Sequence, residues 1–203
     1  TNNTALGYKT LFLSSTSTDA TAIGFRALYS NISGLYNTAV GSGALYSNTS
    51  HDNTAVGYNA LYANTSGRVN TATGMGALAF NQSGDRNTAT GASALAANIS
   101  GQENTATGNL ALSNNQTGNS NTAVGFQSLL LNSIGNGNTA AGYQSLHKNT
   151  TDGNTAFGYQ SLYENGSVPY NSAFGYQALY QNTGGDNSAM GYAALSANTS
   201  GSF

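Results

Sequence analysis

The tripeptide Asn-Thr-Ala, followed one residue later by Gly, returns down the whole chain at steps of 16 or 17 residues. That glycine stands at 7, 24, 41, 57, 74, 91, 108, 125, 142, 158, 175 and 191. Twelve units of consensus Asn-Thr-Ala-Val-Gly-Tyr-x-Ala-Leu-Tyr-x-Asn-Thr-Ser-Gly-x-x therefore tile residues 1–203 as a single domain. One such unit cannot bury an apolar face alone, so neighbours must stack. The period is too short for helix-pair repeats, which need about 33 residues or more. It suits one turn of a parallel β-solenoid, and the expected fold class is all-β with about twelve coils.

Within the unit, Gly, the Ala two before it (Ala5, Ala22, Ala39 and onward to Ala189) and the Leu four after it (Leu11, Leu28, Leu45 and onward to Leu195) never vary. The residue before that Leu is always Ala, Ser or Thr. These columns predict a thin interior of small side chains and one leucine. The position before the Gly ranges from Ala141 to Phe157, which a packed core would not accept, so it is expected to point outward. Thr-Ala-Val-Gly-Tyr alternates as a strand should. Ala-Leu-Tyr reads as a second short strand, and Asn-Thr-Ser-Gly as turn chemistry. Two Asn columns, one before the Thr and one three after the Leu, predict corner ladders that bond from coil to coil. Coils at about 4.7 Å each predict a rod of roughly 56 Å.

Composition follows from the repeat and narrows the partners. Charged residues are 6% and the net charge is −2 with five Lys+Arg, so no basic patch exists to hold nucleic acid. No apolar run approaches the ~18 residues of a membrane span, and membrane insertion is not expected. The chain has no Cys, which excludes disulfides, thiolate metal sites and thiol catalysis. His51 and His147 are far apart in coil number, and no cofactor or metal motif is present. Asp85 and Glu103 lie in successive coils, but they read as solvated loop carboxylates, and the chain is not expected to be an enzyme.

The run Asn-Thr-Ala-Val-Gly-Tyr-x-Ala resembles the head repeats of trimeric autotransporter adhesins. The full unit, seen in Tyr143-Gln144-Ser145-Leu146 and Tyr176-Gln177-Ala178-Leu179, is similar to arrays in tail-fibre-like and surface proteins of bacteria, phages and large viruses. The resemblance covers essentially the whole chain. It implies a left-handed β-roll, a trimeric partner arrangement, and a place on a cell surface, an extracellular fibre or a virion. The unit is longer than that of the adhesin head by its Asn-x-Ser/Thr-Gly segment. The expected function is then a structural rod or stalk serving attachment. Neither end of the sequence shows an atypical capping unit, which predicts a segment of a longer array or a subunit joining end to end.

Three surface features suggest more specific roles. Aromatic columns after the Gly (Tyr8, Tyr58, Tyr143, Tyr159, Tyr176) and after the Leu (Tyr29, Tyr46, Tyr62, Tyr163, Tyr180) suggest an interface between copies, or platforms for a surface glycan. Thr71, Thr73, Thr88, Thr90, Thr105 and Thr107 form regular rows that resemble the ice-binding face of antifreeze proteins, although Phe157, Phe174 and Met190 interrupt any uniform plane. Asn48, Asn64, Asn98 and Asn149 each begin an Asn-x-Ser/Thr sequon, a candidate glycosylation acceptor.

Overall fold

A computed structural model describes residues 2–199 and 201; the two ends of the 1–203 repeat domain otherwise lie outside the described residues. Twelve strands of three residues, from Thr4–Leu6 through Thr71–Thr73 to Ser188–Met190, form a single parallel sheet in sequence order. Eleven turns of solenoid link them. No helix occurs among the described residues. Numbering coils by their invariant glycine, coil 1 carries Gly7 and coil 12 carries Gly191. Register is strict: Thr faces Thr or Ser and Ala faces Ala at every step, as in Thr88↔Thr105 and Ala89↔Ala106. At about 4.8 Å per step the sheet spans about 53 Å.

The invariant Ala and Leu columns are inside, as expected. Ala22, Ala27, Leu28 and their counterparts up to Leu179 are fully buried. The column before the Gly points outward, with Leu6, Val56, Val124, Phe157 and Met190 all exposed. The invariant glycine has φ between +124° and +139°, a region closed to other residues. A Cβ on Gly91 would also sit 2.6 Å from the carbonyl group of Gly108 in the next coil. Backbone conformation and coil spacing thus both require Gly.

The expected second strand at Ala-Leu-Tyr does not form. All twelve leucines of the column have φ between +48° and +52°, and the segment around them is a run of turns. The left-handed conformation costs a non-glycine residue about 1–2 kcal/mol. Complete burial of a leucine side chain returns about 1.5–3 kcal/mol. The turn also aims each Leu N–H at the next coil, as in Leu28 N–H to Ala44 C=O at 3.0 Å. Among the described residues a second, two-stranded sheet appears only near the C-terminal end, at Gln181–Asn182 and Ala197–Asn198.

The asparagines are the other half of the interior. From Asn31 to Asn182 both columns are buried, and their amides bond from coil to coil. In the column after the Leu, Asn98 Nδ2 donates to Asn81 Oδ1 at 2.7 Å and to Gly101 O at 2.9 Å. Its own Oδ1 accepts from Asn115 Nδ2 at 2.8 Å. In the column before the Thr, Asn70 Oδ1 accepts both the backbone N–H and Nδ2 of Asn87, while Asn87 Nδ2 donates to Gly101 O at 2.8 Å. A loop carbonyl is thereby held by both ladders. The predicted ladders exist, but they line the interior rather than an outer corner.

Coils of 16 residues shorten at this loop. In 17-residue coils the Asn after the Leu bonds a carbonyl three residues on. In the shorter coils it bonds one two residues on, as in Asn48 to Ser50 O, Asn149 to Thr151 O and Asn182 to Gly184 O.

Candidate functional site

The sequon asparagines lie in the buried ladder. Asn48, Asn64, Asn98 and Asn149 are fully buried, and each Nδ2 already donates to a neighbouring Asn and to a loop carbonyl. A sugar on Nδ2 would need space that the stacked coils do not leave. The Asn-x-Ser/Thr pattern follows from a ladder that needs Asn and a loop that tolerates hydroxyls. Thr49 and Thr65 hydroxyls, for example, bond loop carbonyls of the next coil.

The aromatic columns form face-to-face ladders along the rod. After the Gly, Phe126, Tyr143, Tyr159, Tyr176 and Tyr192 stack with centroids 5.0–5.3 Å apart and planes within 17°. After the Leu, Phe12, Tyr29, Tyr46 and Tyr62 do the same at 5.0–5.3 Å. His147, Tyr163 and Tyr180 continue that second column at 4.8–5.2 Å. Each interior ring therefore has both faces covered by its neighbours and presents an edge to solvent. A sugar stacks on an aromatic face, so these runs lack the open platforms that a glycan site of that kind needs.

Between the two tyrosine ladders of coils 8–11 runs a third that the aromatic pattern hid. Gln144 Nε2 donates to Gln127 Oε1 at 2.8 Å, Gln160 to Gln144 at 2.9 Å, and Gln177 to Gln160 at 3.0 Å. Its only sequence signal is Gln two after the Gly in four successive coils. In coils 1 and 2 the same position holds Lys9 and Arg26. Lys9 Nζ lies 5.4 Å from the Tyr8 ring and 5.1 Å from the Phe12 ring. The Arg26 guanidinium lies 4.9 Å from the Phe25 ring and 5.8 Å from the Tyr29 ring.

Two ladder residues titrate away from their ordinary values. Burial, reinforced by Lys148 and opposed by Glu164, holds His147 below the ordinary imidazole value of 6.5. Its Nδ1 is buried with no hydrogen-bond partner. The Tyr180 phenol is raised, first by desolvation and then by Tyr163.

The other regular surface is the outer face of the sheet. Thr71, Thr88 and Thr105 are in register, as are Thr73, Thr90 and Thr107, so the six side chains make a two-by-three array. All are exposed except the half-buried Thr105. Val56 and Val124 continue the second row on either side, and Phe157 stacks on Phe174 at 5.3 Å further along. The face is a strip two side chains wide, hydroxyl on one edge and largely apolar on the other.

The loop carboxylates Asp85 and Glu103 each have a partner of their own. Glu103 bonds Arg86 at 3.2 Å on the surface, and Asp85 Oδ1 accepts the Arg68 backbone N–H at 2.7 Å. No group of three or more His, Cys, Asp or Glu with metal-binding geometry occurs among the described residues. Among those residues no helix is long and apolar enough to cross a membrane. No family model, curated protein or solved structure matches this chain.

Proposed function

We propose that the chain is a structural rod of an extracellular or virion fibre, serving attachment and associating with copies of itself. The observation that carries this reading is the outer strip of the sheet. One column of outward residues runs Leu6, Ile23, Val40 and Val56, passes through the threonines of coils 5–7, and resumes with Val124, Ala141, Phe157, Phe174 and Met190, all in one register. Apolar side chains in a strip of this length are more than a lone soluble surface ordinarily carries. Repeating in one register, the strip matches a second copy of itself, in a trimer or in lateral fibre packing. The resemblance to adhesin-head and tail-fibre repeats agrees with this reading. A polar ladder interior and a repeated coil also suit a spacer, because length changes by whole coils without redesign of the core.

Sedimentation equilibrium of the purified chain tests the proposal. Dimers or trimers that dissociate in the double variant Val56→Lys, Val124→Lys are expected. A monomer at all concentrations would refute self-association through this face.

The Thr array favours a second reading, ice binding through coils 5–7. Two rows of hydroxyls, all but that of Thr105 exposed, have a regular spacing, about 4.8 Å between coils and twice the strand rise along them. Thermal hysteresis lost in Thr90→Lys would support it, and none at millimolar protein would remove it.

A further inference from the structure

The aromatic ladder after the glycines has a one-coil gap. Coils 1 and 2 supply Tyr8 and Phe25, stacked at 5.6 Å, and coil 4 supplies Tyr58. Coil 3 has Ser42 in that place, followed by Gly43 where coils 1, 2 and 4 carry Lys9, Arg26 and Asn59. The parallel ladder is unbroken here, since Tyr29, Tyr46 and Tyr62 stack at 5.0 Å. A ring is thus missing between Phe25 and Tyr58, and the Asn59 carboxamide folds into the place that a side chain at 43 would take. What remains is a recess of about 200 Å³, its walls including Phe25, Arg26, Ser42, Tyr46, Tyr58 and Asn59.

The walls have a defined chemistry. Phe25 and Tyr58 stand two coil steps apart, about 10 Å, which leaves room for one flat ring between them at the spacing of the ladder itself. A cavity of roughly 150 Å³ is enough to hold benzene. Tyr58 is 59% exposed against 40% for the fully stacked Tyr159, because no ring of its own column covers either face. The rim is basic. Arg26 lies against the Phe25 ring, its Nε is buried with no hydrogen-bond partner, and neither Arg26 nor Lys9 has an ion-pair partner among the described residues. The Ser42 hydroxyl and the Asn59 carboxamide add polar groups to the same recess.

We infer that this gap is a binding site for a planar aromatic anion, its ring intercalated between Phe25 and Tyr58 and its carboxylate or sulfonate directed to Arg26. Ring stacking supplies the fit and the guanidinium supplies the preference for charge. A saturated six-membered ring is thicker than the ladder step allows. The inference is independent of the fibre reading, because the recess lies on the aromatic face and not on the outer strip of the sheet.

The test is a titration followed by NMR and calorimetry with 4-hydroxybenzoate, using cyclohexanecarboxylate, phenol and methyl glucoside as controls. Saturable binding of 4-hydroxybenzoate is expected, with shifts confined to residues around Ser42, and at least about tenfold weaker binding of each control. Ser42→Tyr restores the missing ring, so it should abolish binding while leaving or raising the melting temperature. Arg26→Gln should weaken binding about tenfold and shift the preference toward phenol. Failure of 4-hydroxybenzoate to saturate, undiminished binding in Ser42→Tyr, or equal affinity for methyl glucoside would each overturn the inference. So would self-association that Ser42→Tyr abolishes, since the ring in the gap would then come from a second copy.

Discussion

At the scale of the residue, the interior inverts ordinary expectations, for its specificity lies in amides rather than hydrocarbon. Asn98 is fully buried, makes two donor bonds and receives one. Asn98→Ala leaves Asn115 Nδ2, Asn81 Oδ1 and Gly101 O short of a partner each. We expect a loss of about 3–5 kcal/mol, against about 0.5 kcal/mol or less for the exposed Asn114→Ala, measured by chemical denaturation. Glycines divide just as sharply. Gly91→Ala drives a Cβ into the Gly108 carbonyl group and should prevent coils 6 and 7 from closing. Gly137→Ala meets nothing within 4 Å at φ +63°, so only the left-handed penalty of about 1 kcal/mol applies. Comparable melting temperatures for the two variants would contradict this account. The sequence makes these columns visible because identical residues recur, yet it hides how deep they lie. Asn followed by Ser or Thr reads as turn chemistry and as a sugar acceptor, and nothing local distinguishes an amide facing water from one facing another amide. Leu95 is equally opaque: Ala-Leu in a β-rich chain reads as extended, whereas its φ is +52°. Burial and a bond to the next coil override local propensity there.

At the scale of the element, each ladder is a one-dimensional stack whose members depend on their neighbours. Tyr159 stacks at 5.1 Å on Tyr143 and 5.0 Å on Tyr176, while Tyr58 has no ring contact within its column. Tyr159→Ala should therefore cost about 1–3 kcal/mol, two pairs at about 0.5–1.5 kcal/mol each, and Tyr58→Ala less than half of that in the same denaturation assay. His147 adds a pH dependence. Its folded pKa lies below the unfolded value of 6.5, so the unfolded chain binds the proton more readily. Stability is then full above pH 6.5 and declines as pH falls through 6.5 toward the lower folded value. His147→Tyr should remove that decline, and melting curves between pH 7.5 and 5 that keep the same slope in both proteins would contradict it. The columns of rings are legible from spacing alone, since positions one after the Gly and one after the Leu recur. Their orientation is not: a column of tyrosines is compatible with open platforms or with closed stacks, and only the step between coils, close to the 5 Å that parallel rings favour, selects the stack.

At the scale of the whole molecule, contacts join only adjacent coils, so length is a free variable. Removing residues 88–104 joins Asn87 to Thr105 and preserves every register. The shortened chain should fold, keep its β-sheet circular dichroism, and be about 4.8 Å shorter by small-angle scattering. Removing only residues 88–96 breaks the phase of all columns and should abolish folding of the adjoining coils. The period alone makes this architecture readable, because a 16–17-residue unit has few other ways to hide an Ala and a Leu. The small outward differences between coils carry no such redundancy. Ser42 and Gly43 look like ordinary variation in the sequence and become a recess only when Phe25 and Tyr58 are placed above and below them.

The direction of the coil-to-coil bonds has a mechanical consequence. Backbone and amide bonds alike run along the rod, so a pull on its two ends loads every boundary in series, in direct tension rather than in shear, and the weakest opens first. Coils then peel off singly, each releasing about 17 residues, or roughly 55 Å of slack chain. Such a tether yields in small equal increments under load, and it can re-wind when the load falls because the next coil is always present as a template.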